Sequence, residues 1–350
     1  MANLPAVKPR LLFNHRVVEI TRHGYDKVKT VGRDTAAFVV RVSSPDGIQE
    51  FLARAVVDAS GTWSQPNPLG ANGVSALGEQ ANAARIAFGM PDILGADRAR
   101  YAGKRVLVVG SGHSAAGNLL AIAQLAEQEP ATTLLWAIRG NQLAKVFGGG
   151  GADGLPARGQ LGSRLKILQD SGRLELHCNF RIRELILAAD GLQIIGEPVN
   201  DETPMIVGID EIIASTGARP NLDMTRELRV RNDPWLESTD ALAALIDPNV
   251  HSCGTVRPHG HRELAHPEVN YYAVGAKSYG RAPNFLMATG YEQVRSVIAA
   301  LAGDMVGADD VQLTLPETGV CSTRPAYAAP KVHDAPGCGA GACPTVADAS

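Results

Sequence analysis

One stretch constrains the chain more than any other. Lys104-Arg105-Val106-Leu107-Val108-Val109 is a nearly unbroken apolar run, the pattern of a strand buried on both faces. It leads directly into Gly110-Ser111-Gly112-His113-Ser114-Ala115. Helical periodicity then holds from Ser114 to Gln128, Glu129-Pro130 stops it, and Thr132 to Ile138 reads as a second strand. Strand, glycine turn, helix and strand in that order predict a βαβ unit, hence a parallel sheet and an α/β fold.

The spacing Gly110-x-Gly112-x-x-Ala115 is a dinucleotide fingerprint with alanine in the third place. The first glycine permits the tight turn, and the second lets a pyrophosphate approach the backbone. The small third residue lets helix and strand pack closely. Amides at the helix start, those of Ser111, His113 and Ser114 among them, would then face the phosphates. NAD sites place an acid at the end of the second strand, and NADP sites an arginine near it. Here the chain reads Trp136-Ala137-Ile138-Arg139-Gly140, with no acid in reach. Arg139 therefore points to NADP, or else is a solvated strand end. Arg158, after the glycine run 148–151, is a second candidate phosphate contact.

Composition narrows the class. The 33 Lys and Arg against 36 Asp and Glu leave a net charge of −3, with no basic tail or stripe, which excludes ordinary nucleic-acid binders. The 37 glycines are about a tenth of 350 residues, above the usual share of about 7%. No apolar run is long enough to span a membrane, and Met1-Ala2-Asn3-Leu4-Pro5 does not begin a signal peptide. Five cysteines form no disulfide framework. These features predict a cytoplasmic protein acting on a small-molecule substrate, with no nucleic-acid or membrane partner and with self-association into a homo-oligomer left open.

Elsewhere, Val17 to Ile20, Ala36 to Val42 and Phe51 to Asp58 read as strands, with Pro45-Asp46-Gly47 as the turn of a hairpin. Residues 61–80 read as loop and Ala81 to Phe88 as a short helix. Arg173 to Leu176, Ile182 to Ala188, Leu192 to Ile195 and Glu211 to Thr216 read as strands. Tyr271 to Val274 is a strand before Gly275, and Tyr291 to Ala302 a helix with Glu292 at its start. Residues 322–350 read as a tail.

Four landmarks in this order resemble the two-dinucleotide-domain flavoprotein oxidoreductases, which include flavin-containing monooxygenases and thioredoxin reductases. They are Val56-Val57-Asp58-Ala59-Ser60-Gly61, Gly110 to Ala115, Thr216-Gly217-Ala218-Arg219-Pro220, and Tyr272-Ala273-Val274-Gly275. They span about residues 14–305. The resemblance implies a Rossmann-like NAD(P)-binding domain inserted in a partial FAD-binding α/β domain with antiparallel hairpin segments. The divisions are 11–99 (FAD), 100–218 (NADP), 219–310 (return to FAD) and 311–350 (tail). It implies NADP at Gly110 to Ala115 and Arg139. It places Thr216 and Gly217 at the domain crossing, and FAD at Gly275 with Lys277 and Arg281 balancing a reduced flavin. The implied reaction passes hydride from NADPH to FAD and then to O₂ or another acceptor.

The sequence departs from that family in three places. Its first βαβ unit, with the glycine turn that cradles FAD, has no counterpart, so the FAD domain is expected to be partial. Ala276 stands where the family has an aspartate. The redox Cys-x-x-Cys is missing. The rival expectation is therefore an NADP-binding or interaction module without catalysis. His251, Cys253, His259, His261 and His266 match no zinc spacing, and Cys321, Cys338 and Cys343 read as free thiols of the tail. No catalytic residue emerges.

Overall fold

The computed structural model describes residues 3–141, 143–148, 156–251 and 256–314. In chain order the elements begin with strands β1 (Arg16–Arg22), β2 (Phe38–Ser44), β3 (Gly47–Ala53), β4 (Val56–Asp58) and β5 (Ile86–Phe88), then helix α1 (Arg98–Tyr101). The central block is β6 (Arg105–Val109), α2 (His113–Gln128), β7 (Thr133–Ala137), α3 (Ala144–Phe147), α4 (Pro156–Asp170) and β8 (Leu174–His177). Strands β9 (Ile182–Ala188), β10 (Gly191–Gly196), β11 (Met205–Ile209) and β12 (Glu211–Ala214) follow. The last elements are α5 (Asp240–Ile246), β13 (Tyr271–Ala273), α6 (Ala276–Tyr279), α7 (Met287–Leu301) and α8 (Met305–Asp309).

The apolar run of β6 lies at the centre of a five-stranded parallel sheet of order β5-β12-β6-β7-β8. Leu107 pairs with Leu135 on one side and Ile212 on the other, so the run is buried by neighbours at both edges as well as both faces. On one face Val106, Val108 and Trp136 pack against Ala115, Leu119 and Ile122 of α2 and Leu165 of α4. On the other, Leu107, Val109 and Leu135 meet Ile182, Leu185, Leu192, Ile194 and Ile206 of the antiparallel sheet β11-β10-β9. The result is three layers: helices, parallel sheet and antiparallel sheet. It is a mixed α/β architecture of the Rossmann type.

A second layered unit is built on β4 and β13, which pair in parallel with Val57 opposite Tyr272. One face of this pair meets the antiparallel sheet β1-β2-β3 through Ile20, Phe38 and Tyr271. The other meets α5 and α7 through Leu242, Val274 and Val297. Among the described residues β4 pairs with no strand other than β13. A buried ion cluster ties β1 to the loop before β13. Glu268 accepts Arg22 Nε at 2.7 Å, Arg33 at 2.6 Å and the Arg229 amide at 2.7 Å, with all three side chains of the ion pairs within 1% of full burial. Burial pushes the Glu268 carboxyl up, but the Arg229 amide and the two guanidiniums outweigh it and hold the group below its ordinary value.

Several expected elements change. Residues 80–85 are a 3-10 turn, and Ile86 to Phe88 form β5, because Ile86 pairs with Ile212 and buries its side chain at the sheet edge. Helix α4 and strand β11 carry no clear periodic signal in the sequence. The glycines of α4 hide its character, yet Gly162 is needed there, since a Cβ would stand 1.8 Å from the Phe147 carbonyl oxygen of α3. Helix α7 begins at Met287, so Glu292 sits in its second turn and pairs with Arg295 at 2.6 Å. The tail from residue 315 onward, with Cys321, Cys338 and Cys343, lies outside the described residues.

Candidate functional site

Chain order reverses at β6. From β6 the connections run through α2 to β7 and on to β8, whereas β12 returns to the opposite edge of β6. Such a switch point opens a crevice at the carboxyl ends of the strands, where open α/β sheets bind their ligands. The Gly110–Ala115 turn sits at this end of β6, and Ser215, Thr216 and Gly217 follow β12 beside it.

The turn has a distinct requirement at each position. Gly110 has φ of +130°, and a Cβ there would stand 2.3 Å from the Ser215 carbonyl oxygen. Its amide donates to the Ala137 carbonyl at 3.1 Å, and its carbonyl accepts the Trp136 indole Nε1–H at 2.7 Å. Gly110 is therefore locked between β7 and β12. Gly112 is the reverse: its backbone is in an extended conformation open to any residue, and a Cβ there meets nothing within 4 Å. Space is left over that residue for something other than protein. Ala115 is fully buried against β6.

Helix α2 is 16 residues long, and its N-cap residue, Gly112, has no side chain with which to cap it. The first-turn amides of such a helix, with the positive end of its dipole, favour an anion. Ser111, Gly112, His113 and Ser114 are exposed at this end. Asn118, one turn further in, donates to the Gly89 carbonyl at 2.8 Å and to Ser215 Oγ at 3.0 Å, fastening α2 to the ends of β5 and β12.

Thr216 and Gly217 are held by the loop 65–67. Thr216 Oγ1 donates to the Asn67 carbonyl at 2.5 Å, and the Asn67 amide donates to the Gly217 carbonyl at 2.9 Å. Arg139 is exposed at the end of β7, with one guanidinium nitrogen 3.3 Å from the Ala71 carbonyl. It stands on the same carboxyl edge as the glycine turn and pairs with no carboxylate among the described residues. The side chain of Arg158 lies outside the described residues.

The carboxyl end of the β4–β13 pair is built differently. Lys277 is 3% exposed, and its Nζ donates to Asp58 Oδ2 at 3.2 Å, Ser60 Oγ at 3.2 Å and the Asn221 carbonyl at 2.5 Å. Asp58 also accepts the Ser60 amide at 2.9 Å and the Tyr271 hydroxyl at 3.2 Å. Burial, and then Asp58, push the Tyr271 phenol far above its ordinary range, so it remains a donor. The Gly275 amide donates to Gln293 Oε1 at 2.7 Å. The Gln293 amide nitrogen in turn lies 2.9 Å from both Ser278 Oγ and His259 Nε2. His259 Nδ1 faces the Arg257 carbonyl at 3.0 Å, so Nδ1 carries the proton and Nε2 accepts; burial lowers this imidazole's pKa. Arg281 is exposed, and its amide donates to the Leu236 carbonyl.

Two nucleotides were expected, and the two crevices suit them unequally. At the β6–β12 end the open space beside Gly112, at the start of a 16-residue helix, has room for a pyrophosphate. At the β4–β13 end the described residues do not fit the FAD pyrophosphate: Lys277 pairs with Asp58, the Gly275 amide is spent on Gln293, and α6 is one four-residue turn. The histidine segment builds structure. His261 Nε2 bonds Asp309 at 2.9 Å, and burial takes His266 down to about 4 as it accepts the Arg231 amide. No three His, Cys, Asp or Glu groups are placed to hold a metal among the described residues, and Cys253 lies outside them. Asn67, Asn118 and Gln293 were given no role by the sequence reading, and Asp58 entered it only inside the 56–61 landmark. Asp58 alone carried a signal, as the last residue of an apolar strand run; the others make contacts at separations no local pattern records.

No protein-family model matches the sequence, and no curated protein does. Solved structures share the fold. An L-lysine 6-monooxygenase from Pseudomonas syringae superposes with a TM-score of 0.53 at 17% identity, over 87% of this chain and 74% of that one. A bacillithiol disulfide reductase from Bacillus cereus gives 0.52 at 16% identity, over 84% and 69%. An FAD-bound cadaverine monooxygenase of desferrioxamine biosynthesis from Erwinia amylovora gives 0.52 at 14% identity, over 90% and 73%. No helix among the described residues is long and apolar enough to cross a membrane. The chain thus has the α/β dinucleotide-binding fold found in these disulfide reductases and monooxygenases.

Proposed function

We propose that this chain is an NADP(H)-binding oxidoreductase component, with the dinucleotide lying across the β6–β12 switch point. The observation that carries the reading is the start of α2 opening onto free space at Gly112, at the place where strand order reverses. The amides of His113 and Ser114 would hold the pyrophosphate, with Gly112 allowing its approach and Ala115 keeping helix and strand close. Arg139, with no carboxylate partner among the described residues at the end of β7, would meet the 2′-phosphate with its planar fork of donors. The loop 65–67, bonded to Thr216 and Gly217, would wall the nicotinamide end and exclude water from it.

Bound NADPH supplies a hydride. The protein contributes placement, and no step through FAD is derived, because the described residues do not fit it. The domain order of the sequence resemblance, an NADP unit between two segments of a second unit, belongs to this reading. Likeness of fold to the reductases and monooxygenases supports an oxidoreductase class, and a small-molecule acceptor is part of the same proposal. The closed β4–β13 end favours one second reading, a nucleotide-binding module that performs no hydride transfer.

Titration of the purified chain with NADPH and NADH, followed by nicotinamide fluorescence, tests the binding. Tighter binding of NADPH, lost in Arg139→Ala, is expected; equal affinity for both would remove Arg139 from the site. Anaerobic NADPH oxidation with added flavin or disulfide acceptors then separates the two readings.

A further inference from the structure

Both strand pairs of this molecule end in a glycine turn beside a polar loop, and only one of them is open. A pyrophosphate needs donors that are not already spent and room beside them. At the β6–β12 end the room is there, since a Cβ on Gly112 meets nothing within 4 Å. At the β4–β13 end four of the donors on the two lips have internal acceptors. The Ser60 amide and the Lys277 ammonium are taken by Asp58, and the Gly275 amide by Gln293. The Ser278 hydroxyl is taken by the Gly275 carbonyl at 2.8 Å. A cavity near this end, lined by Lys277, Tyr271, His266, Thr239 and Thr225 among others, has a volume of about 10 Å³, enough for about one water.

Charge gives the same answer. Lys277 alone would attract a phosphate, but Asp58 neutralises it in a buried pair, and an arriving dianion would meet that carboxylate. Displacing Asp58 would strand a second charge away from water, which costs several kcal/mol. Gln293 is held from behind by Ser278 and His259, so releasing the Gly275 amide disturbs three groups together.

We infer that Lys277–Asp58 and Gln293–Gly275 close the second crevice, and that this chain carries one dinucleotide, at the β6–β12 end only. The location of that nucleotide rests on the function proposed above; the closure rests on the contacts just given. A residue that would be read from its position as a flavin contact, Lys277, acts here as the internal cation that excludes one.

Backbone amide spectra of the full chain, labelled with nitrogen-15 and recorded with NADP⁺ and separately with FAD, test both parts. NADP⁺ should shift the amides of Gly112 to Ala115, with one nucleotide bound per chain. FAD should leave Ser60, Gly275, Ala276 and Lys277 unmoved, and desalting should return the chain free of flavin. Saturable FAD shifts at Gly275 and Ser60, or one flavin retained per chain, would overturn the closure. Absence of NADP⁺ shifts at Gly112 to Ala115 would sink the proposed function, leaving the closure to stand or fall on the FAD spectra.

Discussion

The two glycines of the α2 turn make a paired test, because their surroundings predict opposite balances of stability and binding. In Gly110→Ala the new Cβ would sit 2.3 Å from the Ser215 carbonyl oxygen, and φ of +130° is a region that alanine occupies only under strain. The strained backbone costs about 1–3 kcal/mol. Displacing β12 from a well-packed sheet costs about 1–3 kcal/mol more. The Trp136 and Ala137 bonds to Gly110 would be disturbed as well. In Gly112→Ala the Cβ meets nothing within 4 Å and the backbone is already extended. Because alanine is a poorer N-cap than glycine, the variant's stability should stay within about 1 kcal/mol of the parent. The methyl group would nevertheless fill the space proposed for the pyrophosphate and weaken NADPH binding about ten- to hundredfold, or roughly 1.4–2.8 kcal/mol. Urea unfolding and NADPH titration of both variants give the comparison. Gly112→Ala should unfold like the parent and bind poorly, whereas Gly110→Ala should fail in both. Parent-like NADPH binding by a folded Gly112→Ala protein would refute the placement of the nucleotide at this turn.

Other consequences follow from the buried charges and the strand ends. Glu268→Gln should destabilise the chain by about 3–5 kcal/mol, since it leaves the Arg22 and Arg33 guanidiniums buried without a carboxylate; a change under 1 kcal/mol in urea would mean the cluster is neutralised some other way. Because the folded-state pKa of Glu268 is depressed below 4.5, its contribution is present above that pH and lost as the pH falls through the folded value, so parent and variant should converge in acid. His266 is depressed from 6.5 to about 4, so the folded state resists a proton that the unfolded state accepts; stability should fall as pH drops from 6.5 towards 4, and His266→Gln should flatten that slope. Lys277→Met should destabilise strongly by stranding Asp58, with Asp58→Asn added to it restoring much of the loss; additive losses in the double variant would deny the pairing. Arg139→Ala should weaken NADPH about tenfold or more and leave NADH unchanged, as expected when one charged hydrogen bond to phosphate is lost.

The residues around the first crevice were legible because their roles are local. A buried strand needs an apolar run, a tight turn into a helix needs Gly110, and a close helix–strand contact needs Ala115; each requirement falls on adjacent positions. The hairpin 38–53 and the strands at β6, β7, β12 and β13 were readable for the same reason. Helix α4 was not, because its glycines answer to α3, across a segment rich in glycine, and β5 was not, because a three-residue strand is defined by Ile212 of its partner rather than by its own pattern.

What the sequence by itself determined is therefore the α/β class, the position of the glycine turn and the choice of Arg139 as the cation at the second strand's end. Only the tertiary structure decided which of the two crevices stays open. Lys277 and Asp58 are separated by more than two hundred positions, and Gln293 reaches Gly275 from the far side of a helix turn. Whether a lysine beside a glycine turn receives a phosphate or neutralises an internal carboxylate depends on what stands within about 3 Å of its ammonium, and chain folding alone sets that distance.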